Sequence, residues 1–206
     1  MKENKINTST SSNIIDIINA SALNRIFYIE DFAKCGTYTS LRSVMVRLEQ
    51  KGILKRLARG IYMHNQACQQ FSDSQLLNLV LEDFSHRYDV DYYPCGNYLL
   101  YLNGISMQLP QEIEICFQKI YPKKINFLGK YHIEIKHSSK DWIYKIKSPY
   151  IQHFFIALSS RRKCVYDIEK NHLLSILANK INKDELELYK NIIPVSLINK
   201  VLYFYH

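Results

Sequence analysis

The chain has 206 residues, 47% apolar and 22% charged, which suits one domain with a substantial core or two small ones and excludes a disordered polymer. No stretch approaches the roughly 18 uninterrupted apolar residues of a membrane span, and the polar start MKENKINTSTSSN leads into no apolar segment of signal-peptide length, so a cytoplasmic protein is expected. The net charge of +8 is concentrated: residues 34–64 carry seven Lys/Arg against one Glu, three quarters of the whole excess, which points to a polyanion partner for the N-terminal part.

In chain order, Ser11, Ser12 and Asn13 offer N-caps to a first helix in IIDIINASAL, where Ile14, Ile15, Ile17 and Ile18 follow helical spacing. Asn24 to Ile26 break it, and Phe27 to Ile29 read as a short strand or turn. Glu30 and Asp31 open a short helix through Phe32 and Ala33 that Gly36 stops. Thr39 or Ser40 caps a third helix, whose inward stripe is Leu41, Val44, Met45 and Leu48 and whose end is Gly52. The period then becomes strand-like: ILKRL and GIYM form a hairpin across Ala58, Arg59 and Gly60, with Gly60 free to take positive φ.

Three helices and a hairpin are the order of a winged helix-turn-helix. On that fold Arg42, Ser43, Arg47 and Gln50 suit base-edge readout, because arginine pairs bidentately with guanine and glutamine with adenine. Lys51 belongs to the same basic face, and Lys55, Arg56 and Arg59 on the hairpin suit phosphate or minor-groove contact. The expected partner is double-stranded operator DNA.

The polar stretch Asn65 to Asp73 reads as a boundary, giving a DNA-binding domain over 1–68 and a second domain over 69–206. Beyond it, Ser74 to Arg87 reads as an amphipathic helix and Pro94 to Pro110 as a helix bounded by turns. Strands are expected at Ile113–Phe117, Ile125–Leu128 and His132–Ile135, and helices at 149–159, 172–179, 184–189 and after Pro194. The fold class is α+β: a winged helix followed by a small mixed α/β domain with a helical C-terminal end.

Catalytic signals are weak. Asp89-Val90-Asp91 is a DxD without the Gly-Ser dipeptide of a nucleotidyltransferase, and Glu134-Ile135-Lys136 with Glu112 or Glu114 is the E-x-K pattern of a metal-dependent nuclease, which amphipathic strands produce often. Cys35, Cys68, Cys95, Cys116 and Cys164 are odd in number and contain no CxxC pair, so reduced thiols are expected rather than disulfides or zinc. The seven histidines are scattered, and no nucleophile elbow or phosphate-binding glycine loop is present. No catalytic residue, metal or cofactor is assigned.

Two passages carry a family resemblance. FYIEDFA at 27–33 with VRLEQKGILKRLARGIYM at 46–63 resembles the N-terminal winged helix of AbiEi-type antitoxins, from type IV toxin-antitoxin systems of the abortive-infection class. YPCGNYLLYLNGISMQLP at 93–110 resembles the P-S/T-G, L-G and S/T-x-Q-x-P pattern of their C-terminal domain, on Gly96, Gly104, Gln108 and Pro110, with Cys95 where Ser or Thr is usual. ALSSRRK at 157–163 is similar to their helical tail. The resemblance implies a DNA-binding repressor of its own operon that counteracts a nucleotidyltransferase-like toxin without needing a stable complex with it. Alternatives are a winged-helix regulator with a ligand-sensing or oligomerisation domain, and a nuclease on Glu114, Glu134 and Lys136. The oligomeric state is left open.

Overall fold

The computed structural model describes residues 10–159 and 167–202, which form a mixed α and β chain with two sheets. They fall into two compact units, one reaching to Arg87 and including Asn126–Gly129, the other comprising Tyr88–Ile125 and the chain from Lys130 on.

In the first unit, α1 (Thr10–Asn19) buries Ile14 and Ile18. It stops before Ala22 and Leu23, which the apolar spacing alone would have included. A two-residue strand β1 (Phe27–Tyr28) leads into a 3₁₀ helix, Ile29–Cys35, whose start is closed by the Tyr28 N–H donating to Asp31 Oδ2 at 2.9 Å. Helix α2 (Tyr38–Gln50) is capped by Thr37, whose hydroxyl accepts from the Ser40 N–H at 3.4 Å, so it begins earlier than a Thr39 or Ser40 cap implies. Its buried stripe is the expected one, Leu41, Val44, Met45 and Leu48, packed with Phe27 and Phe32.

Strands β2 (Leu54–Ala58) and β3 (Ile61–His64) pair antiparallel, with a bulge between Arg56 and Ala58, and Gly60 has φ +81° in the turn. The sheet order is β1-β3-β2.

The polar stretch 65–73 is not a bare linker. It holds the short helix α3 (Asn65–Cys68), which buries Ala67 and Cys68, and its last residue opens α4 (Asp73–Tyr88). The division between units falls after Arg87 rather than within 65–73. Arg87 Nη1 lies 2.7 Å from Asp31 Oδ1, and its guanidinium sits 4.0 Å from the Tyr28 ring centre, tying α4 to the start of the 3₁₀ helix. Asn126–Gly129 joins the same unit: the Leu128 N–H donates to the Leu57 carbonyl at 2.7 Å, and Phe127 is fully buried.

The second unit carries a sheet of order β4-β5-β7-β6, from β4 (Tyr92–Cys95), β5 (Glu112–Phe117), β6 (Lys123–Phe127) and β7 (Tyr131–His137), with β5 and β7 parallel. Pro94 to Pro110 is not one helix. Its first residues are in β4, α5 covers only Gly96–Leu102, and a loop follows. Pro94 is compatible with a strand because β4 is at an edge, where a missing N–H costs little.

Helices α6 (Asp141–Tyr144), α7 (Pro149–Ser159), α8 (Asp167–Lys180), α9 (Lys183–Glu187) and α10 (Val195–Leu202) complete the unit, with Phe154, Phe155, Leu173 and Leu177 fully buried in its core. Arg161, Arg162, Lys163 and Cys164 lie outside the described residues. The other four cysteines are free thiols; those of Cys95 and Cys116 lie 3.2 Å apart across β4 and β5.

One half-buried group makes this unit sensitive to acid. His153 on α7 meets Asn103 at 3.1 Å, and burial pushes its pKa down to about 4 from an ordinary 6.5. Between those values the unfolded chain holds the proton and the folded chain does not. Its contribution is therefore complete above pH 6.5 and lost as pH falls toward 4, about 3 kcal/mol in all. Urea unfolding at pH 7 and pH 4 should show a drop smaller by roughly that amount in His153→Asn.

Candidate nucleic-acid interface

Helix α2 and the β2–β3 hairpin place the basic residues in distinct groups. Arg42 on α2 and Arg56 and Arg59 on the hairpin line one small concavity of about 50 Å³, with Tyr38 and Tyr62 in its walls. All three arginines are exposed, whereas Tyr62 is buried. Burial raises the Tyr62 hydroxyl pKa; Arg56 opposes it, Glu49 adds to it, and Arg42 opposes it more weakly. Among the described residues none of Arg42, Arg47, Lys51, Lys55, Arg56 or Arg59 forms an ion pair with a carboxylate, and Glu49 is the acid whose charge is felt at Tyr62 in the wall of the concavity.

Arg47 belongs elsewhere. With Ser43 it lines a wide, open cavity of about 510 Å³, whose other walls are Thr10 and Ser11 from α1 and Thr39 and Ser40 from α2. Its Nε donates to the Ser43 carbonyl at 3.4 Å, and the Ser43 hydroxyl donates to the Thr39 carbonyl at 3.0 Å. Lys55 separates from its neighbour Arg56 as alternate strand residues must. It lies close enough to Cys68 on α3 that its charge opposes the burial that lifts that thiol to about 11. Lys51 is the C-cap residue of α2, and Gln50 is exposed on the last helical turn.

The expected eight residues therefore form a convergent trio, a pair on another side of α2, and three separate positions. Tyr38, 57% exposed beside Arg42, was not among them. Reading Thr37 as the cap would have placed Tyr38 on the helix one turn before Arg42.

In the second unit the four motif residues do not make one site. Gly96 opens α5 with φ +53°, and a Cβ there would lie 2.8 Å from Glu114 Oε2. Gly104 has φ +74° beyond the other end of α5 and open space around it. Gln108 is exposed, and the loop is held by the Ser106 hydroxyl donating to its backbone carbonyl at 3.1 Å, not by its amide. Pro110 is half-buried.

Glu114 is itself held in place: Lys136 Nζ lies 2.8 Å from Glu114 Oε1 and 3.2 Å from Glu134 Oε2. Burial acts to lower the Lys136 pKa, but the two carboxylates outweigh it and raise it. Asp91 of the DxD faces Lys147 at 3.5 Å.

The glycines give a graded expectation. Gly104→Ala should destabilise by about 1 kcal/mol through left-handed backbone strain alone. Gly96→Ala should roughly double that, because the new methyl also displaces a carboxylate anchored by Lys136. Urea midpoints of the two variants test the order.

By sequence the chain belongs to a family of unknown function, DUF6088, whose model matches residues 13–186. A comparison with curated proteins finds no match.

Proposed function

We propose that the protein is a DNA-binding antitoxin that represses its own operon and counteracts a nucleotidyltransferase-like toxin, with α1, the 3₁₀ helix, α2 and the β2–β3 hairpin acting as a winged helix-turn-helix. The observation that carries the DNA-binding half is the convergence of Arg42, Arg56 and Arg59 on one concavity between helix and hairpin, none of them ion-paired to a carboxylate among the described residues. Three guanidiniums held against an aromatic wall favour the phosphates of one backbone, since each presents a planar donor fork. The antidote half rests on the resemblance of residues 93–110 to the AbiEi type, which also implies a cytoplasmic protein that needs no stable complex with the toxin.

The nuclease reading is less well supported. Lys136 is bound to both Glu114 and Glu134, so its ammonium already balances the carboxylates a metal would need.

The test is co-expression with a nucleotidyltransferase-like toxin, which the proposal places in the neighbouring reading frame. Wild-type protein and an Arg42→Ala/Arg56→Ala/Arg59→Ala variant should both restore growth, while only wild type should repress a reporter driven by the operon's promoter. Restoration by neither would overturn the antidote reading, and repression by both would overturn the arginine assignment.

A further inference from the structure

Helix α2 buries Leu41, Val44, Met45 and Leu48, and this fixes which residues face away from the unit. At roughly 100° per residue, the outward line opposite that stripe runs through Thr39, Ser43, Val46 and Gln50. The exposures agree: Thr39, Ser43 and Gln50 are exposed and Val46 is half-buried. Arg42 and Arg47, five residues apart, stand roughly 140° from one another around the axis, one on each flank of that line.

The two arginines also stand in different cavities, with strip residues beside each: Arg42 with Val46 and the hairpin arginines, Arg47 with Thr39, Ser43 and the hydroxyl-bearing start of α1. A helix seated in the major groove turns its outward line to the base edges and its flanks to the two groove walls, which are phosphate.

Resting on the DNA-binding reading, we propose that Arg42 and Arg47 each clamp one phosphate backbone, and that the strip Thr39, Ser43, Val46 and Gln50 between them reads the bases. This differs from the expectation that both arginines pair with guanine. The strip has the chemistry for a different readout. Gln50 can pair bidentately with adenine, the Thr39 and Val46 methyls can pack on a thymine methyl, and Ser43 can donate to or accept from a base edge. Arg42 gains Arg56 and Arg59 as partners along the same phosphate backbone, each on a phosphate of its own.

The experiment selects binding sites for the full chain from a library of random-sequence duplexes, then measures affinity for the selected site over a series of salt concentrations. Arg42→Ala and Arg47→Ala should each lower the log-log salt slope by about 0.9 and leave the selected sequence unchanged. Gln50→Ala should leave the slope unchanged and relax preference at one base pair by roughly tenfold. A changed preferred base in either arginine variant overturns the proposal, as does an unchanged preference in Gln50→Ala. Wild-type binding without sequence selection overturns the base-reading strip while sparing the DNA reading, whereas no binding by wild type overturns both.

Discussion

Replacing Arg42, Arg56 and Arg59 together by alanine should weaken binding to duplex DNA by several hundred-fold near 0.1 M salt. If each guanidinium neutralises one phosphate, its loss removes about 0.9 of a released counterion, worth roughly eightfold at that salt, and three such losses multiply. The salt slope should fall by about 2.7 at the same time. All three side chains are exposed and free of ion pairs among the described residues, so the fold should be unaffected. Anisotropy titrations at several salt concentrations, with circular dichroism of the variant, measure both effects. A folded variant with unchanged affinity would remove the concavity from the interface.

The largest effect on stability is expected at Phe155. It is fully buried on α7, with its ring edge-on to Phe154 at 5.5 Å and to Trp142 at 6.0 Å between ring centres. Phe155→Ala removes that burial and both ring contacts and leaves a cavity, so a loss of about 4 kcal/mol is expected. Against a typical total of about 5–15 kcal/mol, such a loss brings the second unit close to unfolding at 37 °C. Differential scanning calorimetry with urea unfolding checks it; a loss below about 1 kcal/mol would show that neighbouring side chains collapse into the space.

The parts of the fold that were legible are those in which one residue pattern decides. The stripe Leu41, Val44, Met45 and Leu48 marks α2 because four apolar residues at helical spacing can be buried together only on a helix. The switch to LKRLA and IYMH around Gly60 marks the hairpin for the same reason.

What was not legible depends on partners far away in sequence. Pro94 argues against a strand until β4 is known to be an edge. The polar run after His64 looks like a linker until Ala67 and Cys68 are found buried. Arg87 at the end of α4 meets Asp31, 56 residues earlier. At the candidate site the same limit applies. Composition shows that residues 34–64 are basic, but only the folded hairpin shows that Arg56 and Arg59 stand with Arg42 while Lys55 turns toward α3.

The most direct test of DNA binding is an anisotropy titration of the wild-type chain against duplex DNA from upstream of its own gene and against an unrelated duplex, each at about 50 mM and 200 mM salt. The predicted result is tighter binding to the upstream duplex, with affinity for both falling steeply as salt rises. Absence of binding to either duplex at the lower salt would contradict the account.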